Sequence, residues 1–214
     1  IKIIGVGGFG SQMIRELEMN SEFSSTQLIT IVPEETKTET LSQEIVLSTI
    51  SNSSTDYGGN YEAQQLITIE NRDLIVSKLA GTDVAFICCN EGREFSTRVA
   101  PIIADIATEC GVLVVAIVTM PFGIEGQRRR LAAEGGVNSL MRSAGTTIVV
   151  DKQKIFEDIP KGWLFSDAYK SITSPLHKSI SIISDILKKI ELINVDLADL
   201  KMIMSNNAFG YMGE

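Results

Sequence analysis

A glycine-rich turn is the first feature of this sequence suited to chemistry. Gly5-Val6-Gly7-Gly8-Phe9-Gly10 follows a strand-like run, IKIIGV, and opens a helix-like one. In that setting bare backbone amides at a helix N-terminus can approach a phosphate group. The same residues satisfy G-x-G-x-x-G, and Glu34 lies 24 positions after Gly10, where an acid could hold a ribose. Taken alone, that pairing favours NAD. A tight strand–helix turn needs the same glycines with no ligand at all. Glu125 and Arg129, spaced one helical turn apart, either converge on a ligand or form a solvent-facing pair. Asp196 precedes an apolar helical run, which it either caps or leaves free for chemistry.

Composition removes several alternatives. The net charge is −8 and the basic residues do not gather into a stripe, so a nucleic-acid partner is not expected. Cys88, Cys89 and Cys110 show no C-x-x-C spacing, and His177 is the only histidine. They read as free thiols in a reducing cytoplasm, filling space as small apolar residues. No apolar run reaches the roughly 18 residues that a membrane span needs, and no signal peptide precedes the first strand. Ile1 falls inside a strand pattern and Glu214 just after a helix pattern, so both ends read as cuts in a longer chain.

The elements that must position these groups alternate. Strand patterns occupy residues 1–6, 27–32, 83–89, 112–118 and 147–150. Between them, helical spacing runs through about 7–19, 69–79, 96–110 and 125–143. DVAFICC and VLVVAIV are apolar at nearly every position, as strands covered on both faces must be. The expected fold is therefore α/β, a doubly wound, mostly parallel sheet, with ligands at the carboxyl ends of its strands. A long helix is expected over 167–190, with Pro175 inside it either kinking it or, behind a Ser174 cap, opening a fresh start. A shorter helix follows at 197–204.

Other stretches carry a resemblance. Phe122-Gly123-Ile124-Glu125-Gly126-Gln127-Arg128-Arg129-Arg130 is similar to FEGRRR, and Asn194-Val195-Asp196-Leu197-Ala198-Asp199 to N-x-D-x-x-D. Met204-Ser205-Asn206 matches MSN, Gly58-Gly59-Asn60-Tyr61-Glu62 resembles GGNPE, and the run from Ala100 to Ile106 resembles AAPVIAEIA. In this order and spacing the chain resembles the nucleotide-binding half of the FtsZ/tubulin family. The resemblance implies a cytoplasmic, filament-forming, guanine-nucleotide-binding subunit of cell division or a related system. Its partners would be other FtsZ-like subunits, met head-to-tail, with no insertion into membranes. Residues 1–166 would form the nucleotide-binding domain. Residues 167–214 would form a core helix, an acidic loop and a following helix leading to a C-terminal domain.

The resemblance also implies roles. Gly7, Gly8 and Gly10 would hold phosphates of GTP or GDP, and Gly10-Ser11-Gln12 is similar to the GNQ of tubulins. Gly59 and Asn60 would sit near the γ-phosphate, Glu125 and Arg129 at the ribose, and Tyr169 against the base. Asn194, Asp196 and Asp199 would enter the next subunit's site and polarise the attacking water, with a magnesium ion as a candidate companion. Where the family has GGGTGTG, this chain has Gly92-Arg93-Glu94-Phe95-Ser96-Thr97-Arg98. The phosphate contacts of that segment would fall to Gly92, Ser96 and Thr97. Glu94 brings negative charge towards polyphosphate, and Arg93 and Arg98 either offset it or pair with it. Lys152 replaces an asparagine, and Thr173 replaces the acid or amide that reads guanine. Two readings follow: a divergent GTPase, or a pseudo-GTPase that caps or regulates filaments without turnover. An NAD-dependent oxidoreductase is the remote third.

Overall fold

The computed structural model describes residues 1–20, 23, 26–33, 43–47, 68–158, 162, 165–193, 197–204 and 208–210. Among the described residues, seven strands form one sheet. They are β1 (Lys2–Val6), β2 (Gln27–Pro33), β3 (Gln43–Leu47), β4 (Val84–Asn90), β5 (Leu113–Met120), β6 (Thr146–Asp151) and β7 (Ala208–Gly210). Their order is β3-β2-β1-β4-β5-β6-β7, and every neighbouring pair is parallel. The helices are α1 (Gly7–Glu18), α2 (Arg72–Leu79), α3 (Glu94–Glu109), α4 (Gln127–Ser143), α5 (Lys152–Glu157), α6 (Phe165–Ile193) and α7 (Leu197–Met204).

Alternation along the strands splits the core in two. Ile4, Val6, Ala85, Ile87, Val114 and Ala116 face α3 and α4 residues such as Val99, Ile103 and Leu140. Ile3, Phe86, Val115 and Ile117 face Met13, Ile14 and Leu17 of α1 and Leu176 and Ile180 of α6. β4 and β5 are buried along their whole length, which is why their sequences lack polar alternation. The doubly wound parallel fold expected from the sequence is the one formed.

Several local expectations change. α6 runs unbroken through Pro175, so no helix restarts at Ser174. The charged helix expected over 125–143 is two pieces: a 3-10 turn at Gly123–Glu125, then α4 after Gly126 at φ 95°. β3, α5 and β7 were not apparent in the sequence. Chain order reverses between β1 and β4, both starting from the middle of the sheet, and this opens a crevice at their carboxyl ends.

Candidate functional site

Two loops meet at that crevice. Gly7, at φ 73°, begins α1 directly after β1, and a Cβ placed on it would lie 3.4 Å from the Ser96 Cβ. The β1–α1 turn thus touches the first turn of α3, which follows β4. Ser96 is fixed there by donating to the Asn90 carbonyl at 2.6 Å, and the Gly92 N–H donates to Thr97 Oγ1 at 2.9 Å. Gly92 also packs tightly on α4, since a Cβ there would come within 2.8 Å of the Arg129 carbonyl.

The glycines of the first turn divide by purpose. A Cβ on Gly10 would strike backbone atoms of Gly5 and Cys88 at 2.6–2.8 Å, so Gly10 lets α1 lie against β1 and β4. Gly8 is exposed, and a Cβ there would meet nothing within 4 Å. Packing does not require a glycine at Gly8. Neither α1 nor α3 has a side-chain cap on its first turn, so their leading N–H groups are available to an anion. Ser11 is buried in α1, and its Oγ finds no hydrogen-bond partner among the described residues. Gln12 is exposed on the same helix.

A charged network closes the β5–β6 side. Arg129 donates to Glu125 at 2.8 Å across the break between the 3-10 turn and α4. The Phe122 N–H donates to the same carboxylate at 2.9 Å. Burial alone would raise the Glu125 carboxyl, but the Phe122 N–H, the Lys152 ammonium and Arg129 together hold it below its usual range. Lys152, at the start of α5, is only 7% exposed. Its Nζ donates to Asn90 Oδ1 at 3.0 Å, which also accepts from Thr119 Oγ1 at 3.0 Å. The ammonium lies 3.8 Å from Glu125, and 5.9 and 5.1 Å from the ring centres of Phe9 and Phe122. The ends of β4, β5 and β6 are thereby tied through one lysine that sequence reading singled out only as a departure. Of the two fates open to Arg98, the structure takes the internal one: it pairs with Glu94 at 3.0 Å.

Glu91 was missed altogether. It follows β4 directly, its N–H donates to the Thr119 carbonyl at 2.9 Å, and its side chain is fully buried. Oε1 accepts from the Cys89 thiol at 3.4 Å, Thr97 neighbours the carboxyl, and among the described residues no cation pairs with it. A Cβ on Gly136 of α4 would come within 2.0 Å of Oε2, so a helical glycine makes room for this acid. Burial pushes the carboxyl up to about 7. The only sequence signal for it was the Gly135-Gly136 pair inside a helix.

The remaining candidates lie elsewhere. Thr173 is buried in α6, where its hydroxyl donates to the Lys170 carbonyl at 3.3 Å. Tyr169 is in the same helix. Asp199 is exposed on α7. That helix is anchored by Lys201 donating to the Gly111 carbonyl at 2.9 Å and by Thr146 donating to the Met204 carbonyl at 2.9 Å. Gly111 precedes β5 and Thr146 begins β6, so Asp199 belongs to the amino-terminal end of the sheet. The eight residues of β5 put about 25 Å between that end and the crevice. Glu34, Gly59, Asn60, Asn194 and Asp196 lie outside the described residues. Among the described residues no cluster of His, Cys, Asp and Glu is arranged to hold a metal, and no helix is long and apolar enough to cross a membrane.

Residues 1–160 match the model of the Tubulin/FtsZ family, GTPase domain. The whole chain aligns at 31% identity with 56% of the cell division protein FtsZ of Wigglesworthia glossinidia brevipalpis. It aligns at 34% with 62% of cell division protein FtsZ 2 of Rhizobium meliloti. Among solved structures, a point mutant of M. jannaschii FtsZ superposes with TM-score 0.82 at 28% identity, over 98% of this chain and 63% of that one. The chain therefore spans a little over half the length of the relatives it matches.

Proposed function

From the chain's membership of the Tubulin/FtsZ family, whose GTPase domain covers residues 1–160, we propose that it is a cytoplasmic cytoskeletal subunit of cell division. It holds a guanine nucleotide by the phosphates at the crevice and assembles head-to-tail. One observation carries this reading. The glycine crevice and the exposed Asp199 occupy opposite ends of a parallel sheet, so Asp199 cannot reach its own crevice, which supports a role for it at another subunit's. A contact of that kind is heterologous and extends into filaments.

In this reading Gly7, Gly8, Ser11, Gln12, Gly92, Ser96 and Thr97 surround the phosphates, with Gly59 and Asn60 beside them. Gly10 sets the approach of α1. Glu125 and Arg129 meet the ribose, and Tyr169 and Thr173 line the base end. Asp199, with Asn194 and Asp196, orients water against the neighbour's terminal phosphate. The residues' own part is positioning and general-base assistance; magnesium would supply charge neutralisation to the polyphosphate.

A second reading has its own support. Side chains at Arg93, Glu94, Ser96 and Arg98 stand at positions that are glycine in the resemblance, and Glu94 is locked to Arg98. A subunit with that loop would cap or regulate filaments without turnover. Sedimentation and phosphate release at rising protein concentration separate the two. The first reading expects GTP-dependent pelleting and a rate per subunit that climbs with concentration. Asp199→Ala should lower that rate at least about 100-fold while leaving GTP binding intact. GTP binding with no phosphate release at any concentration would retire the first reading in favour of the second. A response to NADH alone would return the oxidoreductase reading.

A further inference from the structure

We propose that Arg93 and Lys152 form a cationic clamp that binds the phosphates of the crevice ligand through side chains. The inference rests on the phosphate site of the preceding section and adds to it two residues and a mode of recognition.

The charge pattern motivates it. In a chain of net charge −8, Arg129 and Lys152 share the Glu125 carboxylate, and Arg93 is tied to the same strand end: Ser96 Oγ donates to the Asn90 carbonyl at 2.6 Å and to the Arg93 carbonyl at 3.4 Å, while Lys152 donates to Asn90 Oδ1 at 3.0 Å. Arg93 and Arg129 both bear on the Lys152 ammonium as like charges, and Lys152 has little solvent with which to screen them. Glu125 is shared between Lys152 and Arg129. Arg93 is exposed and has no carboxylate within ion-pair distance among the described residues. It is also the residue leading into α3, with no side-chain cap on the N–H groups beyond it. Two cations that repel each other beside uncapped amides are stabilised together by an anion between them.

The geometry suits a phosphate chain better than a single carboxylate. Lys152 is fixed by Asn90 and by the rings of Phe9 and Phe122, whereas Arg93 is exposed, and in the proposed clamp it takes a second oxygen. Gly8 is exposed in the first turn of α1, and Phe9 beside it links that turn to Lys152. Side-chain cations would here supply attraction that the segment 92–98 offers less of through bare backbone.

Calorimetric titration with inorganic pyrophosphate and with GTP, at matched low salt, provides the test. Wild-type protein is expected to bind both. Arg93→Ala should weaken pyrophosphate at least about tenfold, and Lys152→Met likewise, with Lys152→Arg recovering much of the loss. The exposed Arg93 variant decides the matter if Lys152→Met does not fold. Pyrophosphate affinity within twofold of wild type in Arg93→Ala overturns the clamp, as does an absence of pyrophosphate binding. If GTP still binds in either of those cases, the nucleotide reading survives alone. If pyrophosphate binds as expected and GTP binds no better, the clamp stands and the nucleotide reading falls.

Discussion

At pH 8, Glu91→Gln is expected to melt several degrees above the parent protein, and at pH 4.5 the two should melt together. Burial pushes the folded carboxyl of Glu91 up to about 7 from 4.5, against the smaller opposing effect of hydrogen bonds from Thr97 and Cys89. Between those values the folded protein keeps a proton that the unfolded chain releases. The stabilisation is full below 4.5, falls as pH rises through the window, and is gone above about 7. A shift of this size corresponds to about 3 kcal/mol. For a chain of this length that is roughly 5–10 °C in Tm. Glutamine keeps the shape and the acceptor for Cys89 but has no charge to desolvate. Parallel Tm–pH curves for the two proteins would show that the carboxyl is not desolvated in this way.

The second large effect concerns the glycine turn. Gly10→Ala should destabilise the protein by about 3 kcal/mol or more, because its methyl meets backbone of both β1 and β4 and neither can move without breaking the sheet. Gly8→Ala should do the opposite to folding. The new methyl enters open space at the start of a helix, and alanine restricts the unfolded chain, so stability should hold or rise by up to about 1 kcal/mol. Its cost should appear only in ligand affinity, since the methyl stands where a phosphate would approach. Chemical denaturation of the two variants gives the contrast. Equal losses from both would mean that the turn is wholly structural.

How legible these features were in the sequence depended on how local their causes are. β4 and β5 announce themselves because strands covered on both faces must be apolar throughout. β3 and β7 lie at the sheet edges, where pairing to one neighbour leaves little pattern over five and three residues. α5 is six residues long, too short for periodicity to register. The i,i+4 pairing of Glu125 and Arg129 was readable, whereas the Gly126 break between them was not, because a positive φ belongs to the tertiary path. Lys152 meets Asn90 and Glu91 meets Gly136 only after strands distant in sequence are laid side by side. Such contacts have no spacing to find. The separation of Asp199 from the crevice likewise depends on α7 docking against Gly111 and Thr146.

Direct titration of GTP into the protein tests the central claim most plainly. The geometry predicts saturable binding that pyrophosphate displaces and that Gly8→Ala weakens without loss of folded stability. An unchanged heat signal and melting temperature at millimolar GTP, in protein shown to be folded, would contradict it.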